Sequence, residues 1–403
     1  MNDFLKTLQP QKIWHYFGEV LNIPRPSKKE EKIREYLLAF GATHKLETLT
    51  DETGNILIRK PATKGYESHS GVVLQAHIDM VAEKTGTSKH DFDTDPIEAQ
   101  EENGWIKAKD TTLGADNGIG VAACLAVLDS NDLQHPALEC LFTVDEETGL
   151  TGAFGLKSGW LQGKTLLNLD SEDDGLFFIG CAGGIGTFID FAYKTEVAPA
   201  GHKFYTVSVK GLKGGHSGDD INKGLGNSNQ LLARYLYSFE DMLSLRIASF
   251  NGGNLHNAIP REASAVIAIP NTKVAELEKS IINFGKVLKN EYKHTEANVN
   301  FTLSPAEIDN VLIMDDGKQL INALLACPHG VLRMSDTMEN FVETSTNLAS
   351  VKTENGHIKI VTSQRSSIET AKYFAAHRVA ATFELIGAEV KHNDGYPGWN
   401  PNP

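Results

Sequence analysis

Four segments in the first half of the chain carry side chains that can bind a metal or move a proton. Three apolar runs stop on acidic or imidazole groups, and a fourth acid lies in a glycine-bounded turn before a predicted helix. The four are His77-Ile78-Asp79 after the run 72–78, Asp116 in the turn TTLGADNG, Asp145-Glu146-Glu147 after 138–144, and Asp170-Ser171-Glu172 after 165–169. A single short motif of this kind is usually chance. Four on successive elements predict one shared site.

The residue types at these four ends favour a metal centre. In an open α/β sheet the carboxyl ends of parallel strands meet at one edge, where ligands bind. An imidazole and at least four carboxylates would converge there, and like charges at short range raise one another's pKa. A divalent cation removes that cost. Mixed imidazole and carboxylate ligands favour zinc, with manganese or cobalt as alternatives. Because there are enough carboxylates for a bridging ligand, we expect two metals ~3.5–4 Å apart that share a hydroxide.

The neighbours of the predicted ligands have separate roles in this hypothesis. Glu146 and Glu147 are adjacent, so on an extended segment their side chains point apart. One can bind metal while the other acts as the general base, which must reach the water without being a ligand. Asp79 lies two residues beyond His77 and points the same way, so it can hydrogen-bond the ring and fix its tautomer.

The composition narrows the class of protein. The chain has 403 residues, with 52 acidic and 38 basic side chains and a formal net charge of −14. Such a surface repels nucleic acid and anionic membranes, so we expect neither as a partner. No run reaches the ~20 apolar residues of a membrane span. Four scattered cysteines make a disulfide framework unexpected in so long a chain. We therefore predict a cytoplasmic protein.

Strands and helices alternate in the first part of the chain and change character after Gly186. We predict an α/β catalytic domain at 1–186, with a mostly parallel sheet covered on both faces. Residues 12–40 are expected to be helical, with Ser27 as an N-cap. A second α+β domain is expected at 187–390, built from two similar halves with open-faced sheets.

Several motifs resemble those of one family of metallopeptidases. The chain is similar to the Xaa-His dipeptidases (aminoacylhistidine dipeptidases, peptidase D), within the larger group of two-zinc aminopeptidases, aminoacylases and carboxypeptidases. The matching segments are NILIRKPAT, VVLQAHIDMV, TTLGADNGIG, EETG with GAFGL, CAGGIG, GLKGGHSG, NAIPRE and YPGW. They are spread over nearly the whole chain, so the resemblance covers both predicted domains. It implies that 187–390 is a lid domain inserted into the catalytic domain and that residues 391–403 begin the return to the catalytic domain.

The resemblance implies a role for each candidate residue of the catalytic domain. His77 and Asp170 would hold one zinc, Glu147 the other, and Asp116 would bridge the two. Asp79 would orient His77, and Glu146 would be the general base. It also implies a cis peptide bond after the bridging aspartate, between Asp116 and Asn117.

The resemblance further implies how a small dipeptide is bound. In the lid, His216 would stabilise the oxyanion, while Asn257 and Arg365 would engage the carbonyl or the terminal carboxylate of the peptide. The expected reaction is hydrolysis of dipeptides, preferably Xaa-His dipeptides such as carnosine. The family also implies a homodimer formed through the lid domain.

The sequence departs from the family pattern after YPGW. Family members return to the catalytic domain there and donate a late histidine to the second zinc. This sequence reaches Pro403 first, so we expect a C-terminally incomplete catalytic domain, and His392 is a poor substitute for that ligand. Two alternative functions stay open. One is an aminoacylase or carboxypeptidase-like hydrolase with the same site, and the other is a non-catalytic metal-binding or scaffold protein.

Overall fold

The structure is a computed structural model that describes residues 2–171 and 174–399. Glu172 of the fourth acidic end and residues 400–403 of the final segment lie outside the described residues. Contacts along the chain divide it into two units, Met1–Phe177 and Phe178–Pro403. Each unit has its own core, and we describe them one at a time.

The first unit contains helices and a five-stranded sheet. Its helices are α1 (Gln11–Leu21), α2 (Glu31–Thr43), α3 (Ala115–Leu128) and α4 (Thr151–Gly155), preceded by a 3-10 helix at Asp3–Thr7. Its strands are β1 (Glu47–Thr50), β2 (Ile56–Lys60), β3 (Val72–His77), β4 (Ala99–Glu102), β5 (Trp105–Ala108), β6 (Leu138–Thr143) and β7 (Thr165–Asn168).

The sheet of the first unit brings the predicted strand ends to one edge. Its order is β1-β2-β6-β3-β7, with β4 and β5 forming a separate hairpin. β3 runs parallel to both β6 and β7, and His77 pairs with Thr143 in the register. The other two pairings are antiparallel, so the described sheet is mixed, although the α/β class is confirmed.

The two faces of this sheet differ in how much they bury. α1, α2 and α3 pack on one face in the main core, where Phe17, Leu37 and Val121 contact strand residues such as Phe142. The opposite face has only a small cluster around Val73. At the edge strand β7, all four residues are exposed, although the apolar sequence TLLN predicted burial.

The prediction that residues 12–40 are helical, with Ser27 as an N-cap, is only partly right. The chain leaves helical geometry between α1 and α2, where Pro24 and Pro26 cannot donate backbone hydrogen bonds. The N-cap of α2 is Glu30, without a side-chain capping bond. Ser27 does not cap a helix, because its hydroxyl donates to Asp79 Oδ2 at 2.7 Å.

The second unit is an antiparallel α+β structure. Its helices are α5 (Ser228–Leu243), α6 (Val274–Glu291), α7 (Met314–Ala326) and α8 (Glu369–Glu384), with a 3-10 helix at Asn271–Lys273. Its strands are β8 (Gly183–Ala192), β9 (Thr195–Val197), β10 (His202–Lys210), β11 (Gly215–His216), β12 (Arg246–Gly252), β13 (Ala258–Ile259), β14 (Ala263–Pro270), β15 (Asn300–Pro305), β16 (Asn310–Leu312), β17 (Gly330–Met334), β18 (Val342–Glu354), β19 (His357–Ser366) and β20 (Glu389–His392).

The two halves predicted for this unit share one sheet. Its path is β15-β10-β14-β12-β18-β19-β8-β20, with β17 paired to β18. The halves meet where β12 pairs with β18, at Gly252 and Val351. Side chains from the sheet and all four helices form one apolar core. Over the described ranges of both units, no helix combines the length and apolar character that a membrane span requires.

Candidate metal centre and substrate-binding residues

His77 lies at the centre of the acidic edge in the first unit. It is the last residue of β3, and its side chain is 1% exposed. Nε2 lies 2.8 Å from Oδ1 of Asp116 and 3.4 Å from Oδ1 of Asp170. Glu146 Oε2 is 4.0 Å from the same nitrogen. The structure therefore brings together ligands from four segments that the sequence separates by up to 93 residues (170 − 77).

The residue that follows Asp116 holds Asp170 in place. Asp116 has non-helical backbone angles at the start of α3, and its bond to Asn117 is cis, as the resemblance implied. Asn117 is buried, and its amide donates a hydrogen bond to Oδ1 of Asp170. Gly120 leaves room for this amide, since a Cβ there would lie 1.8 Å from Asn117 Oδ1. The residue after the predicted bridging ligand thus orients another predicted ligand.

Asp79 has more partners than the sequence indicated. Its Oδ1 is 3.3 Å from His77 Nδ1, but the contact lacks hydrogen-bond geometry, and Nδ1 has no partner among the described residues. The firm bonds of the carboxylate come from elsewhere. The backbone N–H groups of Glu146 and Glu147 donate to it at 3.0 and 3.2 Å, and the Ser27 hydroxyl donates at 2.7 Å. Asp79 therefore fixes the two glutamates as well as lying beside the imidazole.

The pKa values show how unfavourable this cluster is without a cation. Burial raises the pKa of Glu147 to about 7, and the negative charge of Asp116 adds to the effect. Burial also raises the pKa of Glu146 and of Asp116. Burial lowers the pKa of His77, but the nearby carboxylates of Asp170 and Asp79 outweigh it and raise the value to about 11. All four shifts favour added positive charge.

Two groups of side chains can hold such a charge. His77, Asp116 and Asp170 place one ligand atom each within 4.8 Å of one another, and so do His77, Glu146 and Glu147. One imidazole nitrogen with carboxylate oxygens is a donor set that zinc accepts. The residues present therefore fit a bound divalent metal.

A third acidic group lies deeper and is already satisfied. Glu30, Asp79 and Asp145 also come within 4.8 Å of one another, and all three are buried. Glu30 accepts the backbone N–H of Asp145 at 3.1 Å, and Asp145 accepts the hydroxyls of Thr148 and Thr151. These bonds shape the loop that carries the two glutamates, so the group supports the site.

In the second unit, the structure brings the three predicted substrate-binding residues close together. β11 pairs with β13, which sets His216 opposite Ala258 and next to the exposed Asn257. Arg365 on β19 places Nη2 3.4 Å from His216 Nε2. On the other side of the ring, Nδ1 is 2.8 Å from Oδ2 of Asp219.

Sequence reasoning missed a partner of Arg365. Nη1 of Arg365 donates to the Tyr396 hydroxyl at 2.9 Å. The Tyr396 backbone bonds to Gly184, and its ring occupies the space where a Cβ of Gly184 would lie, 2.6 Å from ring atoms. YPGW was noted only as a family motif, because a turn-rich sequence carries no signal of which side chain it approaches.

Comparison with known proteins identifies relatives of this chain. A family profile described as the peptidase dimerisation domain matches residues 201–296. The cytosol non-specific dipeptidase of Escherichia coli K12 is 43% identical over 399 residues, which span 99% of this chain and 82% of that protein. The crystal structure of an aminoacylhistidine dipeptidase from Vibrio alginolyticus, also 43% identical, superposes with a TM-score of 0.89 and covers 100% of this chain and 83% of that one. A more distant relative, the uncharacterized protein YqjE of Bacillus subtilis, is 25% identical over 65% of this chain and 68% of its own length.

The resemblance seen in the sequence is therefore confirmed at the level of family and fold. The 43% identity covers nearly the whole chain, and a solved relative has the same fold. The similarity therefore includes both units. The chain belongs to the aminoacylhistidine dipeptidase family of peptide-bond hydrolases.

Proposed function

We propose that this protein is a two-metal dipeptidase. The observation that carries the proposal is that His77 lies close to two pairs of carboxylates. One pair is Asp116 and Asp170, and the other is Glu146 and Glu147. Four carboxylates beside one imidazole are more than a single ion needs, and a carboxylate can bridge two ions, so two neighbouring cation positions are the simplest use of this arrangement.

The ligands divide between two metals. His77 and Asp170 would hold one ion, Glu147 would hold the second, and Asp116 would be a ligand of both. Bound zinc would supply an electrophile for the peptide carbonyl and would acidify a water molecule. Mn²⁺ and Co²⁺ accept the same donors. Asp79 and Asn117 keep the ligands in place through the bonds described above.

Glu146 is the proposed general base. Its side chain is one-third exposed, so it remains accessible to water, and its raised pKa brings it closer to neutrality, where a base can both take and release a proton. Glu146 accepts the proton of the attacking water and then delivers it to the leaving amine nitrogen. The peptide C–N bond breaks, and the acyl carbon, now bonded to the oxygen of the water, becomes the carboxylate of the product.

The second unit supplies the proposed substrate-binding residues. His216 stabilises the developing oxyanion, and Asn257 and Arg365 engage the carbonyl and the terminal carboxylate of the dipeptide. A guanidinium suits a carboxylate because its planar donors match the two oxygens. The preferred substrates are Xaa-His dipeptides. The working form is a cytosolic homodimer that associates through the lid, in line with the dimerisation domain matched at residues 201–296.

The first experiment combines metal analysis with a substrate panel. The protein is loaded with zinc, its metal content is measured, and it is assayed on Xaa-His dipeptides, other dipeptides, N-acyl amino acids and tripeptides. About two zinc ions per chain and hydrolysis restricted to dipeptides are expected. Preferred cleavage of N-acyl amino acids would favour the aminoacylase alternative instead. One zinc or none, without hydrolysis, would favour a non-catalytic role.

The second experiment isolates the general base. Glu146→Ala should keep its zinc but lose at least ~100-fold in kcat, the usual size of a general-base effect. Glu83→Ala, at an exposed glutamate outside both metal groups, is the matched control and should retain the wild-type rate. Turnover of the Glu146 variant within tenfold of the wild type would rule out this assignment.

A further inference from the structure

Arg25 is a buried cation that the proposed mechanism does not use. It lies in the non-helical segment between α1 and α2 and is only 1% exposed. Its Nη1 donates to the carbonyls of Ile78 and Asp79 at 3.0 and 2.8 Å, and its Nη2 donates to the carbonyl of Gly114. All three acceptors are backbone oxygens. A buried charge bound in this way needs a reason, because removing it from water is costly.

The three carbonyls belong to the two segments that carry the central metal ligands. Ile78 and Asp79 follow His77 directly, and Gly114 lies two residues before Asp116. The guanidinium therefore connects the end of β3 to the turn that begins α3. The carbonyl of Arg25 adds a third bond to the same strand end, because it accepts the N–H of Met80 at 3.1 Å.

Two glycines leave space for the guanidinium. A Cβ at Gly114 would lie 2.7 Å from Nη2 of Arg25, and a Cβ at Gly118 would lie 2.6 Å from the same atom. Gly114 also has a φ of +70°, which disfavours other residues. Gly118, by contrast, follows the non-helical residues Asp116 and Asn117 and has no positive φ that would require glycine. Its close approach to Arg25 is therefore the contact that a side chain at this position would disturb.

The charge on Arg25 is kept at neutral pH. Burial lowers its pKa to about 10, and the negative charges of Asp79, Asp116 and Glu147 oppose that shift. A fixed positive charge this close to the site acts in two opposite ways. The charge repels a metal cation, whereas the hydrogen bonds of the side chain keep the segments that carry the ligands in position. These two effects predict opposite results when the side chain is changed.

We propose that Arg25 is a positioning residue for the metal site, which sets the spacing between His77 and Asp116 by binding the backbone of both segments. The inference rests on the proposed function, since it needs metal to bind there. The geometry of the fork matters more than the charge, because one planar group reaches three carbonyls in two directions. Lysine has the same charge but lacks the rigid fork.

The test measures zinc affinity by competition with a chromophoric chelator, in parallel with the melting temperature of the metal-free protein. Arg25→Met and Arg25→Lys are both expected to bind zinc 10–100-fold more weakly, the usual loss when a group that orients metal ligands is removed. Arg59→Met is the matched control. Arg59 also binds a backbone carbonyl, that of Trp160 at 2.8 Å, but it contacts Glu139 and no metal-group residue. Zinc affinity of this control should stay within threefold of the wild type.

Each other outcome has a defined meaning. Unchanged or tighter zinc binding in Arg25→Met would overturn the inference, as would wild-type affinity in Arg25→Lys. Absence of zinc binding by the wild-type protein would instead contradict the proposed function itself. If the Arg25 variants do not fold, Gly118→Ala displaces the guanidinium from within a helix, and it should weaken zinc binding at least tenfold. Gly317→Ala in α7, where a Cβ would meet nothing within 4 Å, is its control. Wild-type zinc affinity in Gly118→Ala would refute the positioning role.

Discussion

Replacing Asp79 by asparagine should damage the site without changing its shape. The carboxylate accepts three hydrogen bonds, from the backbone of Glu146 and Glu147 and from the hydroxyl of Ser27. The amide oxygen of asparagine can keep the two donors that bind Oδ2. Its NH₂ group then faces the N–H of Glu146, where two donors meet and no bond can form.

The loss can be estimated from these contacts. A hydrogen bond to a charged group contributes roughly 1.5–3 kcal/mol, and leaving a buried donor unpaired adds to the cost. The remaining two bonds also lose their ionic acceptor. A loss of roughly 2–4 kcal/mol in the free energy of unfolding follows, which for a unit of this size lowers Tm by about 5–15 °C. We also expect kcat to fall at least tenfold, since Glu146 loses the bond that holds its backbone.

Calorimetry and steady-state assays on the same preparations test both parts. Asp93→Asn is the control, because Asp93 is a half-exposed residue paired with Lys29, and surface substitutions usually change stability by less than ~0.5 kcal/mol. Zinc content must be measured as well, to separate a loss of metal from a displaced base. If Asp79→Asn melts within 2 °C of the wild type and keeps its kcat, our account of how Asp79 supports the site is wrong.

Two further predictions concern the second unit. Burial lowers the pKa of His329 from 6.5 to about 4. As the pH drops, the unfolded chain therefore binds the proton before the folded chain does. The free energy of unfolding falls between about pH 6.5 and about pH 4, by up to about 3 kcal/mol. His329 Nδ1 faces donors on Asn227 and Leu348. His329→Asn keeps an acceptor there but cannot titrate, so its Tm should fall less than that of the wild type between pH 7 and pH 4.5. An equal fall in both proteins would contradict this prediction. Tyr396→Phe removes the hydroxyl that binds Arg365 and should raise KM for dipeptides roughly tenfold, as expected for a bond to a charged group, with a smaller change in kcat. Tyr373→Phe is the control, and an unchanged KM in Tyr396→Phe would argue against a role in positioning Arg365.

The acidic edge of the sheet could be predicted because its signals are local. Each strand is a short apolar run, and each candidate group directly follows one or opens a helix. The parallel arrangement then required only the general rule that such strand ends meet, and the register of β3 with β6 agrees with it. Family motifs added the roles of the individual ligands, which spacing alone left open.

The contacts between distant segments could not be predicted in the same way. His216 and Arg365 are 149 residues apart in the sequence but lie close together in the structure. Their positions depend on two strand pairings that the sequence does not reveal. β18 pairs with β19, which sets Ser345 opposite Arg365, and β11 pairs with β13. Strand β8 was missed because GGIGTFIDFA begins with glycines, which weaken strand propensity. Ser27 looked like a helix cap because the sequence shows an acid three residues later but does not show the buried Asp79.

The bonds around Asp79 and Arg25 explain why three of the four ends, those that carry His77, Asp116 and the two glutamates, are not independent. Asp79 binds the glutamate loop through Glu146 and Glu147, and Arg25 binds the segments of Asp79 and Gly114. Every tie ends on the backbone, so the chain holds the ligands in place before a metal arrives. In a site built in this way, the free energy of metal binding is not reduced by the cost of ordering the loops. Such support suits a centre whose carboxylates repel one another, and our proposal therefore expects metal affinity to depend on these supporting residues as well as on the ligands.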